Sequence, residues 1–408
     1  MESKKNTQLE YIKDELTEFE KTEIFDYKSI YYVGDINIKN NKHISYQDYL
    51  DNINIFGVDY KFVIKLDDHI SYRYKILDNL GKGTYGNVIK VNDCKYNKNK
   101  AIKIFNNFHN FTSKENIKLF LREYDILEIL YTRFNLHHNS ELFTLFYGED
   151  MFRNFNYIIF RLYHGNLYKE RRKIQESSIN KKIIIIKDLL NALIFLSCES
   201  PKIIHADIKP ENILFKTEES FNIVLGDFGL SVILKDDYAT YKKNLQTRWY
   251  RSPEIIYQIP FNEKIDVWSV GSIIYELISN RPLFKSYSDN DHLVYIHYIL
   301  GYPTREFINQ HENIQEFYTE KYKPKYIHNI KNKVLIPGTG CNVLDRFFEF
   351  SESDDYGQDN EGPSEGPSEG NIKYNLIRLV YKCLDYDSNS RISAEKALEF
   401  INNISSFK

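Results

Sequence analysis

The 408-residue chain has only four cysteines, Cys94, Cys198, Cys341 and Cys383, and no two of them are close in sequence. That excludes a CxxC redox pair or a cysteine-based metal spacing, and it suits thiols kept reduced inside a cell. Long apolar runs are missing too. The longest, such as Ile183–Ile186, falls far short of a membrane span. The opening residues, MESKKNTQLEYIKDEL, contain no apolar h-region, so no secretory signal is expected. Nor is there an excess of charge. With 54 basic against 57 acidic residues the net charge is −3, which offers no basic footprint for nucleic acid. These absences predict a soluble intracellular protein, cytoplasmic or nuclear, that binds neither nucleic acid nor membrane.

What is present suits a folded chain. Hydrophobic residues make up 42% of the sequence, too many for wholesale disorder, and the length suits two lobes plus extensions. Tyrosine is abundant, at 33 residues, so a single tyrosine carries little information here. Residues 1–70 read as an N-terminal extension. Residues 71–163 read as a small strand-rich lobe, with strands at Tyr74–Leu80, Gly86–Val91 and Ala101–Phe105 around glycine turns. Ile117 to Tyr131 reads as a helix with Ile117, Phe120, Tyr124, Leu127 and Tyr131 on one face. Residues 164–408 read as a larger helical lobe. Within it Ser351–Asn371 is acidic, rich in Gly, Pro and Ser, and carries a tandem GPSE repeat, so a disordered surface insertion is expected.

Three ordered segments carry chemistry. LGKGTYGNV at Leu80–Val88 places Gly81, Gly83 and Gly86 in a strand–turn–strand whose backbone can approach a triphosphate. A dinucleotide fold would need a helix to begin at the last glycine, whereas Asn87–Val91 continues as a β-branched strand. Lys103, in AIKIF, is flanked by apolar residues on a strand and needs an anionic partner to stay charged. Glu123 is the candidate, because Phe120 and Leu127 place it on the inward face of its helix; Asp125 and Glu128 point elsewhere. HADIKPENIL at His205–Leu214 then offers Asp207 to take or orient a hydroxyl proton and Lys209 to offset phosphoryl charge. Asn212 in that segment and Asp227 of GDFG offer hard oxygen ligands for Mg²⁺.

Over residues 72–403 these segments resemble the eukaryotic protein kinases. YRSPE in RWYRSPEIIY (Arg248–Tyr257), NLY at Asn166–Tyr168 and DHLVYIHYILGYPT at Asp291–Thr304 are similar to the CMGC group. Within that group the chain most resembles the dual-specificity tyrosine-regulated (DYRK) kinases. DDHISYRYKILDNLGKGTYGNVIK, Asp67–Lys90, reads like their entry into the kinase domain. LTEFEKTEIFDYKSIYYVG, Leu16–Gly34, is similar to the box upstream of the domain in their second subclass. Kinases of SR splicing proteins are the next-best relatives, through QTRWYRS and NDHLVYI.

The resemblance implies an α+β bilobal kinase fold with a small β-rich N-lobe and a larger helical C-lobe. It implies ATP and Mg²⁺ as cofactors, protein substrates with Ser or Thr acceptors, and a monomer. Leu80, Gly81, Gly83, Gly86, Val88, Ala101 and Lys103 would form the nucleotide site, with Phe160 as gatekeeper, the Tyr163 backbone as adenine contact and Leu214 beneath the ring. Lys103, Glu123, Asp207 and Lys209 would be the catalytic set, with Asn212 and Asp227 on the metal. Glu254 would pair with Arg391, and Asp266 would hold the catalytic-loop backbone. Residues 16–66 would pack on the kinase domain and assist its maturation. With this set intact, the alternative of a pseudokinase-type scaffold is disfavoured.

Two departures from the family stand out. Ala206 replaces the usual arginine before the catalytic aspartate, where DYRK-type kinases have cysteine. The tyrosine pair that those kinases autophosphorylate should fall at Lys242 and Asn244, yet Arg248 and Arg251, which would clasp the phosphate, remain. The activation segment is therefore expected either to order without phosphate or to use Tyr238, Thr240 or Tyr241 as its acceptor.

Overall fold

The computed structural model describes residues 10–40, 62–83, 85–106, 113–137, 141–234, 245–325 and 369–405. They fall into two compact units. The first takes in the described residues of Met1–Asn139 and Thr144–Leu162, the second those of Ser140–Phe143 and Tyr163–Lys408. The short excursion at 140–143 has a local cause. Leu225 donates its N–H to the Leu142 carbonyl at 2.9 Å, and Phe143 stacks its edge against Phe228.

The first unit is built on a six-stranded sheet of β1 (His69–Ile70), β2 (Tyr74–Lys82), β3 (Gly86–Asp93), β4 (Lys98–Phe105), β5 (Phe146–Phe152) and β6 (Phe155–Arg161). Its order is β1-β2-β3-β4-β6-β5, antiparallel throughout. Alternation puts Ile76, Ile89, Val91, Ile102, Ile104, Tyr157 and Ile159 into one buried cluster with Phe152 and Phe155. A Cβ at Gly86 would come within 2.3 Å of the Ile104 carbonyl, so β3 can lie this close to β4 only with glycine there.

The extension packs onto the same unit. A short helix α1 (Glu20–Glu23) follows Leu16, which joins Ile24 and Tyr72 in a small buried cluster. Glu20, itself buried, is the hub: its carboxylate takes the Lys39 ammonium at 2.8 Å, the His69 Nε2–H at 3.0 Å and Arg153 at 3.1 Å. Arg153 also reaches Glu23 at 2.8 Å, and Tyr72 donates its hydroxyl to Glu23. Residues 41–61, part of the 16–66 stretch expected to pack on the kinase domain, lie outside the described residues.

Burial alone would push the Glu20 carboxyl up, but the His69 donor and the Lys39 charge outweigh it and hold Glu20 well below the usual carboxylate range. His69 is kept neutral by burial. A depressed folded-state carboxylate contributes stability above its unfolded value of about 4.3 and loses it as pH falls toward the folded value. Glu20→Gln is therefore expected to cost roughly 2–3 kcal/mol near neutral pH. The gap from wild type should narrow below about pH 4, as read by chemical denaturation across pH.

The helix α2 (Ser113–His137) is longer than the sequence predicts, and its buried face is rotated. Phe120, Glu123, Ile126, Leu127 and Leu130 are buried, Tyr124 is half-buried, and Ile117 and Tyr131 are exposed at 44% and 45%. At about 100° per residue, Phe120, Glu123, Leu127 and Leu130 form the core stripe, and Ile117, Tyr124 and Tyr131 lie together on its flank.

The second unit centres on α3 (Ile179–Ser197), then α4 (Pro253–Tyr257), α5 (Lys264–Ser279), α6 (Asp289–Leu300), α7 (Glu369–Cys383) and α8 (Ala394–Ser405). Residues Ile265–Ile274 of α5 are all buried, as expected of a helix apolar on every side. A Cβ at Gly271 would meet the Cys383 Cβ at 2.6 Å, so glycine sets how closely α5 approaches α7. Two small sheets frame the loop of residues 205–212: β7 (His164–Asn166), β9 (Ile213–Phe215) and β10 (Ile223–Leu225) in the order β10-β9-β7, and β8 (Ile203–Ile204) paired with β11 (Val232–Ile233).

The predicted insertion overlaps α7, because Glu369–Asn371 form its first turn; its remaining residues lie outside the described ones. Among the described residues no helix is long and apolar enough to cross a membrane.

Candidate active site

In the first unit β4 brings Lys103 opposite Val88 of β3 and Ile158 of β6. Its ammonium lies 2.6 Å from Glu123 Oε2, with both side chains buried. An unpaired lysine there would be costly, so the pair answers the requirement that the apolar flanks impose. Ala101 is buried opposite Phe160 on β6, and Phe160 itself is half-buried. Gly83 donates its N–H to the Gly86 carbonyl at 2.8 Å, closing the tight turn, while a Cβ at Gly81 would meet nothing within 4 Å. Among the three glycines, then, Gly86 answers to the sheet and Gly81 leaves space above its strand. Leu80 precedes them, half-buried on β2.

In the second unit the loop after β8 converges on Asp207. Its Oδ2 accepts from the Lys209 ammonium at 2.7 Å and from Asn212 Nδ2 at 3.2 Å. Its Oδ1 accepts from the Thr247 hydroxyl at 2.7 Å and the Thr247 N–H at 3.1 Å. Thr247 Oγ1 also accepts from Lys209 at 3.2 Å. Asn212 Nδ2 donates in addition to the Asp207 carbonyl at 2.9 Å, so its amide nitrogen is committed and its Oδ1 is the end suited to a cation.

The loop is held in an unusual backbone. Ala206 has φ 59° and Asp227 has φ 63°, a left-handed region that side chains other than glycine enter seldom. Buried Asp266 over-determines it. Its Oδ2 accepts from the His205 N–H at 2.6 Å and its Oδ1 from the Ala206 N–H at 2.9 Å, while Gln246 donates its N–H to the Ala206 carbonyl. Burial pushes the Asp266 carboxyl up to about 7 against the pull of those two donors. His205, kept neutral by burial, donates from Nε2 to the Gly226 carbonyl at 3.0 Å and accepts the Asp207 N–H on Nδ1 at 3.2 Å. One imidazole thus ties the Asp207 segment to the one that carries Asp227.

Tyr163 and Leu214 also belong to this unit. The Tyr163 hydroxyl donates to Glu141, and Leu214 is half-buried on β9. Below the loop, Arg391 is buried with Glu254, Nη1 to Oε1 at 2.7 Å, and its other donors reach the Asp385 and Lys264 carbonyls. Sequence reasoning missed Thr247 and Gln246. The Thr247 signal was its place beside the YRSPE segment, but no spacing rule ties residue 247 to residue 207.

A twisted antiparallel sheet carrying a buried Lys–Glu pair, and a helical unit carrying an Asp–Lys–Asn loop with a second strained aspartate, define a protein kinase. The protein kinase domain profile matches residues 74–400, and the chain belongs to that family. Within it the chain is DYRK-like. It is 33% identical over 337 residues to human dual specificity tyrosine-phosphorylation-regulated kinase 4, covering 81% of this chain and 61% of that protein. It is 32% identical over 340 residues to dual specificity tyrosine-phosphorylation-regulated kinase 2 of Drosophila melanogaster (82% and 45% covered). It is 31% identical over 394 residues to the serine/threonine-protein kinase ppk5 of Schizosaccharomyces pombe (94% and 42%). The chain thus spans between two fifths and three fifths of the length of these relatives.

Proposed function

We propose that the chain is an ATP- and Mg²⁺-dependent kinase of serine and threonine residues in proteins. The observation that carries this reading is the Asp207 carboxylate, held by Lys209, Asn212 and Thr247 at hydrogen-bond distance. The attacking oxygen is the acceptor hydroxyl. It forms a bond to the γ-phosphorus as the bond to the ADP oxygen breaks, and its proton passes to Asp207. Lys209, beside that carboxylate, offsets charge on the phosphoryl in flight. In the first unit, Lys103, fixed by Glu123, and the Leu80–Val88 turn are the groups suited to the phosphates, and Ala101 and Phe160 those suited to the base.

Asn212 Oδ1 and the Asp227 carboxylate are hard oxygen donors and fit Mg²⁺; when bound, the ion neutralises phosphate charge. The test is magnesium dependence at fixed ATP and peptide. Asp227→Asn is expected to raise the Mg²⁺ needed for half-maximal rate by at least about tenfold, since a charged ligand is lost. An unchanged magnesium curve would reject the assignment.

A further inference from the structure

The segment that carries Thr247 is anchored from outside the catalytic loop, and the anchor is an anion. Arg251 engages all three of its guanidinium nitrogens. Nε donates to the Leu245 and Gln246 carbonyls at 3.1 and 3.3 Å, Nη2 to Gln246 at 2.8 Å, and Nη1 to Asp289 Oδ1 at 2.6 Å. The same oxygen of Asp289 lies 3.4 Å from Arg248 Nε. One carboxylate therefore bridges two arginines.

Around it, the start of α6 and the turn before it dock the same segment. Trp249 Nε1 donates to the Ser286 carbonyl at 2.9 Å, and His292 Nε2 donates to the Arg251 carbonyl at 3.0 Å. His292, kept neutral by burial with its value down at about 4, accepts the Ser286 hydroxyl on Nδ1. From Asp289 the connection runs inward in three steps. Arg251 grips the Gln246 carbonyl; Gln246, at φ 57°, bonds Ala206, Ile265, Ser269 and Ser252; and the next residue, Thr247, donates both its N–H and its hydroxyl to Asp207 Oδ1.

We propose that Asp289 is a positioning residue for phosphoryl transfer: its carboxylate is the built-in anion that holds Arg251 and Arg248, and through them Thr247 on Asp207, so that transfer needs no phosphate on the activation segment. Two guanidinium groups side by side require a counter-charge to stay together, and Asp289 supplies it from a helix first turn, where a carboxylate is also favoured by the helix dipole. Arg251 has every nitrogen engaged and offers little to an added phosphate. Asp289 is half exposed, so replacing it removes charge without opening the core.

The inference rests on the kinase reading, and its test separates the two. Wild type is treated with phosphatase, shown free of phosphate by intact mass, and assayed at once beside Asp289→Ala and Asp289→Glu, with ATP and peptide varied independently. Absence of transfer by wild type before phosphatase treatment would sink the kinase reading itself. With transfer present, the phosphate-free wild type is expected to keep its initial rate. Asp289→Ala is expected to lose about tenfold in kcat/KM for peptide, the worth of one charge-assisted hydrogen bond, with the KM for ATP unchanged. Asp289→Glu should restore most of that loss. Inorganic sulfate, placed in the vacated site between the arginines, should partly restore Asp289→Ala and leave wild type unaffected. A wild type that loses its initial rate on dephosphorylation, an Asp289→Ala with the wild-type rate, or a slow Asp289→Ala that neither sulfate nor glutamate rescues would each overturn the proposal.

Discussion

Asp207→Asn is expected to lower the rate of transfer to peptide by about 10²–10⁴-fold while ATP binding and folding stay close to wild type. Asparagine keeps the shape of the side chain, and its carbonyl oxygen can still accept from the Thr247 N–H and hydroxyl. What it cannot do is receive a proton. Its amide nitrogen would also face Lys209 Nζ and Asn212 Nδ2, two donors that now meet an acceptor. The loop should survive this, because Asp266 and His205 hold its backbone independently of the Asp207 side chain. Steady-state kinetics with ATP and peptide varied separately would check it: the loss should fall on kcat, with the KM for ATP little moved. A variant that transferred phosphate at a tenth of the wild-type rate or better would remove Asp207 from the proton step.

The second large effect falls on stability. Arg391→Met is expected to destabilise the second unit by about 3–5 kcal/mol, because it leaves the Glu254 carboxylate buried without its cation. Methionine fills much of the apolar volume beside Trp268, so the loss comes mainly from the orphaned charge and from the Asp385 and Lys264 carbonyls that Arg391 caps. Replacing both partners, Arg391→Met with Glu254→Leu, should recover part of it, since no buried charge is then left alone. Urea denaturation of the three proteins measures this directly. A single variant within about 1 kcal/mol of wild type, as for an exposed pair, would show the pair to be idle.

The parts of the site that lie close together in sequence were legible from it. His205–Leu214 is one loop, so Asp207, Lys209 and Asn212 meet whatever the rest of the chain does. Lys103 and Glu123 were also readable, although 20 residues apart, because a polar residue on each apolar face needs the other. Where two elements meet by tertiary packing alone, pattern gave less. Thr247 reaches Asp207 across 40 residues and Asp289 reaches Arg251 across 38, and neither spacing marks a contact. The face of α2 was misjudged for a related reason. In a chain this rich in large apolar side chains, Ile117 and Tyr131 look like core yet are exposed, while Phe120, Glu123 and Leu127 are buried as expected. The start of α7 was misjudged because Glu369–Asn371 share the composition of the acidic stretch before them yet form the first helical turn. Tyr238, Thr240 and Tyr241 lie outside the described residues.

The most direct measurement is what the purified chain does with γ-labelled ATP, Mg²⁺ and a mixture of peptides carrying Ser, Thr or Tyr acceptors. Phosphoamino-acid analysis of the labelled peptides is predicted to find the label on serine and threonine. Label confined to tyrosine would contradict the acceptor class. Tight binding of ATP with no label on any peptide would contradict the enzyme.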